Sequence, residues 1–214
     1  MNIFNIFKSK KKVIIPKETI PKEKLFIKEQ LRVLSDLGIN ADLVNECINL
    51  WGRGKYIKKS ELLSIPDSEL ENIVLGWIWG KFNDEWSNDY EVISSLPGPC
   101  QNFYSCHTVS GDIFNGGINQ LFFNYNSTGK YAEMAIEGFN AMGSHRLSEI
   151  LKEAVARFKE HKPTLDNYND GTLESFSASY NEAVFDDLDE AFCREHEDVN
   201  YLNYIKKNIE YFGN

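Results

Sequence analysis

A run of side-chain amides between apolar residues is the first part of this chain whose residue types could do chemistry. It reads Asn115-Gly116-Gly117-Ile118-Asn119-Gln120-Leu121-Phe122-Phe123-Asn124. Two glycines suit a turn into a helix, and Ile118, Leu121 and Phe122 then share one helical face. Burying an amide is costly unless its hydrogen bonds are met, so the amides form either a structural polar network or the wall of a recognition site. We favour a mainly structural role, in which the second glycine approaches another backbone and Gln120 and Asn124 bond to protein partners.

A catalytic site would need a nucleophile or a base close to this run. Cys106 and His107 precede it, but a catalytic thiol needs an activating base and an electropositive pocket. The alternative to a binding protein is therefore a small enzyme whose polar pocket contains His107, Asp112, Asn119, Gln120 and Asn124. The motifs GxGxxG, GxxxxGK followed by Ser or Thr, HExxH and GxSxG do not occur. We therefore predict no catalytic residue and no enzymatic activity.

The densest charge in the chain is acidic and lies towards its C-terminus. Residues 160–200 hold twelve acidic residues against two basic ones, a net charge of −10, while the whole chain carries −9. An acidic surface disfavours nucleic acid and attracts basic proteins, although it also serves solubility alone. On a helix, Asp186, Asp189 and Glu190 would share a face and repel one another until a basic partner relieved the repulsion. We predict a partner-binding acidic face made of Asp186, Asp187, Asp189, Glu190, Glu195, Glu197 and Asp198.

Cysteine spacing indicates neither a metal site nor a disulfide framework. The four cysteines are Cys47, Cys100, Cys106 and Cys193. They contain no CxxC pair, and their spacing to His107 matches no zinc pattern. The spacing of an EF-hand calcium loop is missing as well. We expect buried, reduced thiols in a cytoplasmic protein that has no metal or other cofactor.

Helical periodicity predicts the elements that position these groups. Helices are expected at about 22–37, 42–51, 59–63, 67–78, 86–96, 99–108, 118–124, 132–142, 144–163, 172–196 and 198–211. Ser68 with Glu71 has capping-box spacing, Ser144 can cap a helix, and Pro163 should end one. The short joint at Gly143 predicts an antiparallel helical hairpin. No alternating strand pattern occurs, so we predict an all-α, compact multi-helix domain with antiparallel helical hairpins.

The N-terminal segment has the opposite charge to the rest of the chain. Residues 1–32 hold nine Lys or Arg and three Asp or Glu, a net charge of +6, and four lysines directly follow an apolar start. That order is wrong for a secretory signal, and no apolar stretch is long enough to span a membrane. We predict a basic, flexible arm over 1–21 and a helical domain over 22–212. Such an arm could make weak contact with an anionic membrane surface, so a membrane-proximal adaptor is a further alternative.

Three parts of the sequence together resemble the bacterial DNA mimic protein family. They are the run 115–124, the predicted hairpin Ala132–Phe158 with its Ala141–His145 joint, and Leu188–Phe192 followed by Tyr204 and Ile205. The resemblance covers about residues 60–212. It implies a compact helical cytoplasmic domain. For the family's namesake it implies acidic side chains that imitate the phosphates of duplex DNA and occupy a DNA-binding protein.

These observations favour a non-catalytic cytoplasmic protein-binding module, and its most specific form is an acidic DNA mimic. We expect a basic protein partner, for example a DNA-binding regulator, and no direct binding of nucleic acid. A homodimer is compatible with this interpretation.

Overall fold

Every regular element that the structure describes is a helix. This computed structural model describes residues 41–124, 129–170 and 172–214. Its α-helices are α1 (Ala41–Gly54), α2 (Lys59–Leu62), α3 (Asp67–Trp79), α4 (Asp89–Ser95), α5 (Gly98–Asn124), α6 (Lys130–Ala141), α7 (His145–Leu165), α8 (Leu173–Ser179), α9 (Asp186–Glu195) and α10 (Tyr201–Lys207). The predicted all-α class is confirmed. The predicted arm over 1–21 and the predicted helix over 22–37 lie outside the described residues.

Helix α3 forms because its apolar residues recur at helical spacing and all face the core. Leu70, Ile73, Val74, Trp77 and Ile78 are each at most 4% exposed. Burying side chains of this size stabilises the fold by about 1.5–3 kcal/mol each. The apolar stripe predicted for this helix is therefore confirmed. None of the helices found in the described ranges is both long and apolar enough to cross a membrane.

The predicted helical hairpin is formed by α6 and α7. Three residues, Met142 to Ser144, join the two helices, and Gly143 adopts a φ of +83° in this turn. Ala132 and Phe139 on α6 and Leu151 on α7 are fully buried. The hairpin packs on α5 and supplies one wall of the core around the glycine-containing run.

Several helix boundaries differ from the sequence prediction. The Ser68–Glu71 capping box does not form, because α3 begins at Asp67 behind Pro66. Ser144 occupies the N-cap position of α7 but makes no capping hydrogen bond through its side chain. Pro163 lies inside α7, which continues to Leu165. Proline is tolerated there because it is exposed in the last turn, where water can bond the carbonyl that loses its partner.

The acidic region, residues 160–200, is more broken than predicted. In place of one helix over 172–196, α8 and α9 are separated by a 3₁₀ turn and by Ala183, which has a left-handed φ of +49°. The last helix begins at Tyr201 instead of residue 198, because Asn200 caps it by accepting from the Asn203 N–H. These breaks allow α9 to lie against α5 and α7 at once.

Candidate functional site: the glycine turn and the acidic face

The two glycines interrupt α5, and a short second helix begins at Ile118. Gly117 has φ +67° and ψ −176°, a conformation that favours glycine. A Cβ on Gly117 would lie 2.5 Å from Oδ2 of Asp189. The close approach predicted for Gly117 is therefore made to a carboxylate, and the prediction of another backbone is wrong. We call Gly116 to Ile118 the glycine turn.

Two side chains from the acidic region, residues 160–200, hold the glycine turn. Oδ1 of Asp189 accepts the backbone N–H of Ile118 at 2.7 Å. It thus satisfies one of the N–H groups that a helix start leaves without an internal partner. The Tyr180 hydroxyl donates to the Gly116 carbonyl at 2.6 Å. The glycine turn is therefore fixed through its backbone, which links α5 to α9 and to the turn after α8.

Burial changes the acidity of Asp189. It raises the pKa of this carboxyl from 3.8 to about 6, and the charges of Asp186 and Asp187 act in the same direction. The hydrogen bond from Ile118 opposes the shift because it favours the carboxylate. Asp189 was predicted to be part of the partner-binding face. The structure instead turns its carboxylate towards the glycine turn.

The amides of the run have different surroundings. Nδ2 of Asn124 donates to Oδ1 of the buried Asp112 at 2.8 Å, so the partner predicted for Asn124 is confirmed. Asn119 and Gln120 are both 8% exposed. The Gln120 side chain makes no hydrogen bond to a described residue, and its Oε1 lies against Gly116. The hydrogen-bonded network predicted for Gln120 is therefore not seen in this part of the chain.

The structure does not gather the residues of the predicted polar pocket. His107 and Asp112 are five residues apart on α5, which places them about 140° apart around the helix. Nε2 of His107 lies 3.5 Å from Oε1 of Glu71, whereas Asp112 bonds to Asn124. Asn119 instead lines a cleft together with the rings of Phe123 and Phe176. Of the five predicted residues, Asp112 and Asn124 thus bond to each other, whereas His107 and Asn119 lie in separate surroundings and the set does not line one pocket.

The cysteines do not offer an activated nucleophile at this site. Cys106 is fully buried with Sγ 3.5 Å from the Ala135 carbonyl, and burial raises the pKa of its thiol well above the ordinary value. Cys100 is also buried, but Cys47 is only half-buried and Cys193 is exposed, so the prediction of buried thiols holds for Cys100 and Cys106 alone and is wrong for Cys193. Among the described residues, no group of three or more His, Cys, Asp or Glu side chains could hold a metal ion.

The seven carboxylates predicted for the acidic face divide into three groups. Asp189 faces inward. Two carboxylates pair with arginine. Asp187 accepts hydrogen bonds from both Nη atoms of Arg157, which holds the pKa of this carboxyl below its ordinary value. Glu195 lies 3.5 Å from Arg194. The others are exposed and have no ion-pair partner among the described residues; these open carboxylates are Asp186, Glu190, Glu197 and Asp198.

Sequence reasoning missed two residues that organise this region. Arg157 on α7 binds Asp187, Glu153 and the Val184 carbonyl, and so ties α9 to the hairpin. Tyr201 joins His196 at 3.1 Å to Ser110 at 2.9 Å, and burial lowers the pKa of His196 to about 4. Their charge and aromatic character were visible in the sequence, but their partners are 4 to 91 residues away, and the contacts with Asp187 and Ser110 span 30 and 91 residues.

These features define a class of protein: an all-helical domain whose acidic helix is anchored on a glycine turn. The family model described as DMP19-like protein matches residues 94–208, more than half of the chain. The chain therefore belongs to the DMP19-like family, the DNA mimic family that its sequence resembled. The matched region contains both the glycine turn and α9. No curated protein and no solved structure matches the chain.

Proposed function

We propose that this protein is a non-catalytic cytoplasmic binding module whose acidic face imitates duplex DNA and occupies a DNA-binding protein. Membership of the DMP19-like family supports this proposal. The observation that carries it is the set of open carboxylates on the exposed side of α9 and the turn that follows. Exposed charges without internal partners remain available to a basic protein.

The spacing of these charges supports mimicry. Asp186 and Glu190 are four residues apart on α9, which separates them by about 6 Å along the helix axis. Phosphates on one DNA strand repeat every ~3.4 Å along the axis, so two steps span ~6.8 Å. Glu197 lies seven residues beyond Glu190, in the 3₁₀ turn that follows α9, and adds a further exposed charge. The Lys and Arg side chains of the partner would then meet carboxylates spaced much like alternate phosphates on a DNA strand.

The anchoring of α9 also supports a binding role. Asp189 fixes this helix on the glycine turn, and Arg157 fixes it on α7 through Asp187. Because the helix is held from two sides, its carboxylates need little further ordering when a partner binds. A surface positioned in advance loses less entropy on association than a mobile one. Asp187 and Asp189 thus position the open carboxylates.

The proposal is tested by neutralising charge without changing shape. The variant Asp186→Asn, Glu190→Gln, Glu197→Gln should lose basic partners that the wild type captures from bacterial extract at about 50 mM salt. A matched control neutralises three exposed carboxylates elsewhere, Asp84→Asn, Glu85→Gln and Glu91→Gln, and should retain them.

Each captured partner is then purified and tested for DNA binding by gel shift. The wild-type protein should displace DNA from the partner, and the neutralised variant should not. Binding should weaken strongly at about 500 mM salt because exposed charges are screened. If both triple variants retain the same partners, or if no captured protein binds DNA, the proposed mimicry is wrong.

A further inference from the structure

The structure contains an aromatic cleft that neither the glycine turn nor the open carboxylates use. Its floor is formed by the buried rings of Phe122, Phe158 and Phe185. Phe122 and Phe158 stack with ring centroids 4.0 Å apart. The half-buried rings of Phe123 and Phe176 stand at the rim, 4.5 Å apart. A cleft with this lining binds apolar, preferably aromatic, groups.

The rim of the aromatic cleft is acidic. Residues 162–182 contain four exposed carboxylates, Asp166, Asp170, Glu174 and Glu182, and one cation, Lys162, which lies over the Phe158 ring and pairs with Asp166 at 2.6 Å. The net charge of the rim is therefore still negative. Phe185 on the floor is followed directly by Asp186, one of the open carboxylates. The occupant that fits must therefore combine aromatic side chains with a cluster of positive charge.

This chain carries such a segment at its own N-terminus. Ile3, Phe4, Ile6 and Phe7 are followed by Lys8 and by three lysines at 10–12, outside the described residues. We propose that residues 3–12 bind in the aromatic cleft of the same molecule. Phe4 and Phe7 contact the floor and rim rings, and the lysines face the rim carboxylates. This inference goes beyond the proposed function and does not depend on it.

The connecting chain is long enough for this contact. Residues 13–40 separate the segment from α1, and the helix predicted over 22–37 would contribute about 24 Å of them. The other twelve residues extend to about 40 Å. Together they exceed the ~40 Å diameter expected of a compact domain of this size. Because a tethered segment is present at millimolar effective concentration, even weak docking fills the aromatic cleft.

The experiment places a photoreactive group on the segment in the full chain. Phe7 is replaced by p-benzoylphenylalanine, the protein is irradiated at low concentration, and the cross-linked peptides are identified by mass spectrometry. We expect cross-links within one molecule to the peptides that contain Phe123 or Phe176. The yield should fall at least tenfold in Phe176→Ser and stay unchanged in Phe114→Ser, a half-exposed phenylalanine outside the aromatic cleft.

A charge variant keeps the test decisive if Phe176→Ser does not fold. Glu174→Lys reverses a rim charge and should reduce the same cross-links several-fold, whereas Glu91→Lys on α4 should not. Cross-links scattered over the surface, or an equal yield in all variants, would overturn the proposal. Mixing isotope-labelled and unlabelled protein distinguishes cross-links within one molecule from cross-links between two molecules. Cross-links that join labelled to unlabelled chains would overturn binding in the same molecule.

Discussion

Asp189 and Ile118 are 71 residues apart in the chain, and a 2.7 Å hydrogen bond joins the carboxylate of one to the backbone N–H of the other. This contact connects the glycine turn with the helix that bears the open carboxylates. Asp189, one of the seven acidic residues predicted to bind a partner, therefore has a structural role. It helps to hold the helix on which the open carboxylates lie.

Replacing Gly117 by alanine should destabilise the protein. The left-handed φ of this residue and the closeness of its Cβ to Asp189 both oppose a side chain. We expect a loss of about 1–3 kcal/mol in the free energy of unfolding, measured with urea. Gly52→Ala is the control, since a Cβ there meets nothing within 4 Å, and it should be neutral or slightly stabilising. Equal effects at the two positions would contradict this account of the glycine turn.

Stability should depend on pH through Asp189. Its folded pKa of about 6 exceeds the ordinary value of 3.8, so the folded protein holds this proton more tightly than the unfolded chain. Its contribution to stability is therefore complete below about pH 4 and is lost as the pH rises through about 6. Asp189→Asn keeps an oxygen for Ile118 but cannot titrate.

The stability of Asp189→Asn relative to wild type should therefore increase between about pH 4 and pH 7. Urea unfolding of both proteins over this range measures the difference. Asp186→Asn is a suitable control because Asp186 is exposed on the same helix. A difference between Asp189→Asn and wild type that does not change with pH would mean that burial has not altered the acidity of Asp189.

Truncating Phe158 should have a larger effect than truncating Phe114. Phe158 is 5% exposed and stacks on Phe122, whereas Phe114 is 47% exposed. We expect Phe158→Ala to reduce the free energy of unfolding by about 3–5 kcal/mol. Phe114→Ala removes edge contacts with Phe192 and His196 and should reduce it by about 1 kcal/mol. Thermal and urea unfolding of both variants measures the two losses. A larger loss for Phe114→Ala than for Phe158→Ala would contradict the prediction.

Thiol labelling should distinguish the cysteines of the folded protein. Cys193 is exposed, whereas Cys100 and Cys106 are fully buried. A thiol reagent at about pH 8 should modify Cys193 before the two buried thiols, even though partial burial raises the pKa of Cys193. In a Cys47→Ser background, which removes the half-buried thiol of Cys47, Cys193→Ser should remove this early reaction, and Cys106→Ser should leave it intact. Early labelling that survives in Cys193→Ser would place Cys193 in a less accessible position.

Local patterns in the sequence were sufficient to predict the helical class and much of the core. The stripe on α3 and the α6–α7 hairpin follow from residues three to eight positions apart, and such residues are neighbours on any helix. The glycine-containing run was recognisable for the same reason, because its glycines and apolar residues are adjacent in the chain. Family membership could be inferred from these short segments.

The tertiary structure alone decided which polar groups are available for binding. Asp187 and Asp189 are two residues apart and look equivalent in the sequence, yet Arg157 binds one and the glycine turn takes the other. Helical periodicity separates buried from exposed faces, but it does not specify which distant element covers a face. Because the free energy of a carboxylate depends on the charge and burial of such distant neighbours, only the folded chain distinguishes anchoring carboxylates from open ones.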